Sequence, residues 1–359
     1  MAKGSARRRG WQGVKVEAGD RVVVGLDVHK RDTCAAIRVN GVETDTWVMP
    51  PATKAIVETF GGLRGTPHKI VYEAGPTGFG LARGLRQAGL CVEVVAAGRV
   101  PRPANAGNKS DRIDCRKLAL YAEKDLLTAV AIPSEEEEAS RQVTRLREQV
   151  IKKVRRVKQQ IKSFLLQHAL AEPQGLGTWS AAAVAALRRC GVCEDLRFVL
   201  DTYLDELDDL SQALRRTEQR MRQMSRRRRY RSGEAILRSH PGVGAITSMT
   251  FLTEVYRPER FDAKRELTSY CGLAPRVSQS GETRHEGALI KGGRKGLRRL
   301  LVEAAWVWIG KDPHAMACYR RLVRNTGKSQ KAIVGMARRL AIHLWSMVTR
   351  GEVYRAALP

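Results

Sequence analysis

What this sequence lacks narrows it as much as what it contains. No run of apolar residues approaches the length of a bilayer span, so no transmembrane helix is expected. The first residues, Met1 to Arg9, hold no apolar core of the kind a secretory signal needs. The seven cysteines are an odd number, and without an export signal they are expected to be reduced thiols in the cytoplasm. Cys190-Gly191-Val192-Cys193 is a single C-x-x-C with no second ligand pair near it in sequence. Zinc or redox roles stay open, but two ordinary helix-end cysteines are the simpler reading. No internal repeat is evident. Acidic side chains are scarce relative to basic ones, 37 against 64, which gives a formal net charge of +27 and a pI near 10.4. Such an excess implies a polyanionic partner; with no membrane-seeking segment, DNA or RNA is expected.

A length of 359 residues suffices for two or three domains. Residues 1–20 are basic and Gly-rich, with Arg7-Arg8-Arg9 and Trp11, and are expected to be a disordered arm. Residues 21–132 alternate strand and helix patterns. Strands are expected at 21–26, 33–39 and 44–49, with Asn40-Gly41 as a hairpin turn, then a helix at 52–64 and a strand at 69–72. A helix at 77–88, a strand at 91–96 and a helix running to Asp125 follow. This order predicts an α/β domain: a mixed sheet with helices on its faces. Past Pro133, Val143, Leu146, Val150, Val154, Val157, Ile161 and Phe164 recur at spacings of three and four among many Arg and Lys residues. Leu200, Tyr203, Leu207, Leu210, Leu214, Met221 and Met224 mark a second long helix. Residues 133–232 are therefore expected to form a coiled-coil hairpin or helical spacer, a candidate dimer seam with basic faces. Residues 233–359 read as a mostly helical, all-α region.

Four acids stand out. Asp27 ends the first expected strand and Glu73 the fourth; Asp111 and Asp114 fall in the first turn of a helix that Ser110 would cap. Residues three apart share a helix face, so the last two carboxylates point the same way. Each alone could be a strand-end or capping residue. If the two strands are neighbours, however, all four gather where only a positive species could neutralise them, and two magnesium ions suit such hard oxygen donors. Asp32 and Asp45 carry no assigned role.

Downstream, Ser239-His240-Pro241-Gly242-Val243-Gly244 before an apolar helix resembles a helix-hairpin-helix turn, in which Gly242 and Gly244 would let backbone N–H groups approach a phosphate. Gly272 to Gly287 is expected as a small-residue loop. Within it Ser280, next to Gly281, is sterically open, with Arg276, Arg284, Lys291, Arg294 and Lys295 as cations able to hold a phosphate. A loop serine is more often a turn former, and His285 more often a surface residue than a base.

Taken together, Gly25-Leu26-Asp27-Val28-His29-Lys30, Tyr72-Glu73-Ala74, Lys109-Ser110-Asp111-Arg112-Ile113-Asp114, Gly272-Leu273-Ala274-Pro275-Arg276 to Ser280-Gly281, and Ile290-Lys291-Gly292-Gly293 resemble the motifs of the DEDD insertion-sequence transposases, relatives of Piv-type DNA invertases. The resemblance runs from about Val22 to Tyr354; Cys115 stands where alanine is usual. It implies a RuvC-like, ribonuclease-H-type N-terminal domain whose tetrad Asp27, Glu73, Asp111 and Asp114 binds magnesium. It also implies a coiled coil and a C-terminal transposase domain in which Ser280 attacks DNA to give a covalent phosphoserine intermediate. Oligomers, dimeric or tetrameric, with composite sites are implied, as is guidance by a structured bridge RNA. Arg276, Arg284 or Lys291 would neutralise developing charge. The protein would be cytoplasmic, and nucleoid-associated when on DNA.

Three other readings stay open: a metal nuclease that activates water, a non-catalytic nucleic-acid-binding protein, and an actin-like ATPase. The last lacks further phosphate loops and is at odds with the basic charge.

Overall fold

A computed structural model of the chain describes residues 15–61, 63, 66–96, 98, 100–101, 111–280, 283–290 and 292–356, with side chains for all of these except 45, 111, 112 and 277–286. The arm up to residue 14 and the cap Ser110 lie outside the described residues. The chain forms two compact units, Met1–Pro133 and Ser134–Pro359.

In the first unit, β1 (Val22–Val28), β2 (Thr33–Val39) and β3 (Val42–Met49) make an antiparallel meander. The β2–β3 turn is Asn40-Gly41, both with positive φ, as that turn type requires. Then come α1 (Thr53–Gly61), β4 (Lys69–Ala74), α2 (Gly80–Gln87), β5 (Val92–Ala96) and α3 (Asp111–Glu123). The strand order is β3-β2-β1-β4-β5, with β4 parallel to both β1 and β5. The sheet is thus mixed, with helices on its faces, as the strand and helix order predicts. Val22, Val24, Leu26, Ile70 and Tyr72 pack with Ile56, Phe60, Ala82 and Leu85 of α1 and α2. Val23, Val71 and Val95 meet Leu118 and Ala122 of α3, and Cys34 and Ala36 meet Cys115 and Ala119. Burial on both faces explains why β1 opens as an unbroken Val22-Val23-Val24 run rather than an alternating one.

Helix α3 lies directly on β1. A Cβ on Gly25 would stand 2.1 Å from the Cys115 carbonyl oxygen and 2.5 Å from the Ala119 nitrogen. Near its other end the helix is fixed by a buried ion pair, Arg38 Nε to Glu123 Oε2 at 2.8 Å.

The second unit begins with a capping box: the Ser134 side chain accepts from the Glu137 N–H, and Glu137 accepts from the Ser134 N–H. Helix α4 (Glu135–Gln167) packs along α6 (Glu194–Ser225), with α5 (Ala181–Arg188) between them in the chain. Val157, Ile161 and Leu165 share a core with Leu200, Leu204 and Leu207. Leu146, placed in the apolar stripe by spacing, is instead 48% exposed. Next follow α7 (Arg228–Arg238), α8 (Ala245–Val255), α9 (Lys264–Tyr270), strands β6 (Pro275–Ser280) and β7 (Thr283–Leu289), α10 (Lys295–Lys311), α11 (Pro313–Thr326) and α12 (Ser329–Arg350). Phe251, Leu267, Leu301, Met336, Leu340 and Leu344 centre the core of these helices. Among the described residues no helix is long and apolar enough to cross a membrane.

One expectation is corrected. Residues 272–287 are not a plain loop; most of them form a two-stranded antiparallel ribbon. Between Pro275 and Ser280 only Pro275 and Val277 are apolar, so the period-two signal of a half-buried strand is missing. The ribbon is defined by its backbone pairing.

The Gly25 contact is testable by denaturation. Gly25→Ala must push α3 off β1, because both clashing atoms are backbone, and is expected to lower the unfolding free energy by about 3 kcal/mol. Gly80→Ala, at an exposed helical position with nothing within 4 Å, is expected to leave it unchanged or slightly raised.

Candidate active-site residues

The two strand-end acids come from neighbouring parallel strands. Leu26 pairs with Tyr72 as the last register pair of β1 and β4, and Asp27 and Glu73 are the next residues on each. Side chains alternate across a sheet, and Leu26 and Tyr72 face α1 and α2. Asp27 and Glu73 therefore belong to the opposite face, with Val23, Gly25 and Val71, which α3 covers. Cys115 sits over Gly25, while Leu118 and Ala122 sit over Val23 and Val71. Followed backwards, α3 runs towards the C-terminal ends of β1 and β4, so its first turn, holding Asp111 and Asp114, is on the side of Asp27 and Glu73. Tyr72 steadies this edge from below: its hydroxyl accepts from the Ala82 N–H at 3.2 Å and donates to the Gly78 carbonyl at 3.3 Å.

Oxygen-only donors are what a hard divalent cation requires, and Asp27, Glu73 and Asp114 supply them. Among the described residues no three His, Cys, Asp or Glu side chains already form a ligand group, and the Asp111 side chain is outside the description. Asp27 Oδ2 is instead 3.2 Å from Nε2 of His29. The Cys34 sulfur, 3.2 Å from that of Cys115, together with burial and the charge of Asp27, pushes the Cys115 thiol up, so it stays neutral. Asp32 is exposed in the β1–β2 turn, where its carbonyl accepts from the His29 N–H at 2.9 Å.

In the second unit the β6–β7 ribbon presents Ser280 at its far end, paired with Thr283. Six residues at a rise of about 3.4 Å carry that end roughly 17 Å from the base. His285 and Arg284 are on β7, opposite Ser278 and Gln279, and Lys291 lies outside the described residues. The base is held firmly. The Ile290 N–H donates to the Ala274 carbonyl at 3.0 Å, and a Cβ on Gly293 would meet the Gly272 nitrogen at 2.5 Å. Both glycines have positive φ, 70° and 81°. Arg276 and Lys295 are exposed at either side of the base.

Residues 24–169 match a DEDD-type IS110 transposase model, and residues 234–320 match the model described as the transposase IS116/IS110/IS902 family. The chain belongs to the IS110/IS116 transposase family. It is 29% identical to "Putative transposase y4qE" of Sinorhizobium fredii, over 90% of this chain and 87% of the relative. It is 24% identical to the transposase for insertion sequence element IS1111A of Coxiella burnetii, over 71% and 70%. The pilin gene-inverting protein of Moraxella bovis is 27% identical over 33% of this chain and 38% of its own. In this transposase the first match holds β1 from Val24, β4 and α3 with their acids, and the second holds the ribbon with Ser280.

Two residues expected to meet nucleic acid have contacts within the fold. Arg294 donates from Nε to Glu254 at 2.7 Å and from Nη2 to Glu148 at 2.9 Å. Gly242 is buried: a Cβ there would stand 2.5 Å from the Ala304 carbonyl, so its missing side chain serves the packing of α10. Gly244 is exposed at the start of α8 with nothing near it.

Two residues escaped the sequence reading. His29, one residue past the end of β1, reaches Asp27 two positions earlier, a spacing visible in the sequence. Glu254, a lone acid in the apolar helix α8, is 1% exposed and forks to Arg145 at 2.9 Å as well as to Arg294. Burial pushes its carboxyl up, but the two guanidiniums outweigh burial and hold it below its ordinary range. Burial and the Glu254 charge push Tyr270, whose hydroxyl donates to the Glu254 carbonyl at 2.9 Å, up to about 12.

Removing this carboxylate strands two arginines, so Glu254→Gln is expected to lower unfolding free energy by about 3 kcal/mol at neutral pH. A depressed folded-state pKa stabilises above the ordinary value of 4.5 and ceases to as pH falls through the folded value. Chemical denaturation across pH is therefore expected to show the difference between wild type and variant shrinking below about pH 4.5.

Proposed function

We propose that this transposase cuts and rejoins DNA by serine recombination, with Asp27, Glu73, Asp111 and Asp114 as a metal-binding tetrad on a RuvC-like domain and Ser280 as nucleophile. The observation that carries the reading is the seating of α3 on Gly25, which directs the helix bearing two of the acids to the strand ends bearing the other two. Magnesium held by those carboxylates would neutralise the scissile phosphate and favour the serine alkoxide. The chain's own part is to present Ser280 Oγ to phosphorus. The Oγ–P bond forms as the bond from phosphorus to a sugar oxygen breaks, and that oxygen takes up a proton. Because the phosphodiester linkage is exchanged and not hydrolysed, a sugar hydroxyl can later reverse the step on a new strand. Arg284, next on β7 to the Thr283 that pairs with Ser280, supplies positive charge near the attacking serine, while Arg276 is at the ribbon base and Lys291 beside that base in sequence.

In this reading residues 133–232 form the spacer between the tetrad domain, 21–132, and the serine domain, 233–359. The protein works as a dimer or tetramer in which the tetrad of one copy serves the serine of another. The excess of positive charge, +27, supports carriage of a structured guide RNA as well as DNA.

The test is an adduct assay on element-end DNA with co-purified RNA and magnesium, resolved under denaturing conditions. Wild type is expected to give a covalent protein–DNA band that chelation abolishes. Ser280→Ala and Asp27→Ala each lower it by orders of magnitude. A mixture of the two variants restores it if each site draws on two copies. DNA cleavage that survives in Ser280→Ala without any adduct would overturn the reading in favour of water activation.

A further inference from the structure

Some arginines on the helices of the second unit have carboxylate partners. Arg147 pairs with Glu218, Arg145 with Glu254, and Arg229 with Glu136 and Glu137. At one place several arginines line a common groove. Where α6 ends and α7 begins, a groove of about 720 Å³ opens between them, with Ala245 at the start of α8 on its rim. Arg222 of α6 and Arg226, the residue that caps the end of that helix, line it four positions apart. Arg231 and Arg238, two turns apart, line it from one face of α7. All four are exposed. The groove's acid, Glu234, is matched by Arg238 at 3.6 Å. Among the described residues, Arg222, Arg226 and Arg231 have no carboxylate within ion-pair distance.

Three unmatched guanidiniums converging on one groove repel one another unless an anion enters. Each is a planar fork suited to phosphate oxygens. None of the described residues lining the groove is aromatic, so it offers no platform on which an unpaired base could stack. A duplex, with its bases turned inward and its backbone outward, meets these conditions. We propose that this groove is a binding site for the phosphodiester backbone of a base-paired nucleic acid, read without regard to sequence. The site owes nothing to the carboxylates or to Ser280, and its test does not depend on catalysis.

The experiment is fluorescence anisotropy of the full chain with short duplex DNA, duplex RNA of matching sequence and either single strand, over a range of salt. The variant is Arg222→Gln/Arg226→Gln/Arg231→Gln. Its control, Arg320→Gln/Arg321→Gln/Arg324→Gln, removes the same charge from exposed positions of α11. Equal thermal midpoints establish that both are folded. The groove variant is expected to bind duplex at least about tenfold more weakly near physiological salt, with the slope of log affinity against log salt reduced by about 2–3. Scrambling the sequence leaves this loss unchanged, the control stays within about twofold of wild type, and lysine at the three positions restores most of the binding. Loss on DNA or on RNA supports the site and identifies the occupant. Equal loss in the control, no loss in the groove variant, or a single strand bound more tightly than both duplexes would overturn it.

Discussion

The first unit depends on one backbone-to-backbone approach. A helix can descend onto a strand this closely only where the strand offers no side chain, and Gly25 is that opening. Once α3 is seated, its apolar residues meet Val23 and Val71, and the Arg38–Glu123 pair closes its other end. Seating also determines what lies beyond the contact: two residues along β1 is Asp27, and one residue back along α3 is Asp114. Chemistry at the strand ends is thus a by-product of packing in the sheet.

The second unit solves a different problem, that of anchoring a two-stranded ribbon. A two-stranded ribbon in water is marginal by itself. Here its base is tied down by crossing glycines and by Arg294, which follows β7 closely in the chain and is drawn to Glu254 and Glu148. Glu254 in turn binds Arg145 of α4. One buried carboxylate therefore joins α8, α4 and the start of α10 directly behind the ribbon. Charges usually read as surface decoration in so basic a chain are structural at this point.

The strands and helices of the first unit were largely legible, because valine runs, the Asn40-Gly41 turn and amphipathic spacing are local signals. The adjacency of the Asp27 and Glu73 strands was a condition of the sequence reading, and the pairing of β1 with β4 meets it. What escaped is non-local or lacks a pattern. The ribbon has no apolar alternation, Gly242 looks like a phosphate turn until α10 is laid against it, and Arg294 looks like a free cation until Glu254 is seen beneath it. The apolar stripe of α4 was right at Val157 and Ile161 and wrong at Leu146, since spacing cannot reveal where a partner helix stops covering a face. Family motifs carried the acids and the serine further than residue chemistry did, because no local rule separates a catalytic carboxylate from a capping one.

Gly25 also bears on how the sheet finds its pairing. Strands can slip by one residue at little cost to backbone hydrogen bonding, and each slip turns every side chain over. A slipped β1 would put Val24 or Leu26 under α3, and neither leaves room for the helix to close. Docking of α3 therefore acts as proofreading on strand register. Misaligned sheets remain uncapped and free to unpair, and the ends bearing Asp27 and Glu73 receive their helix only when the alignment is correct.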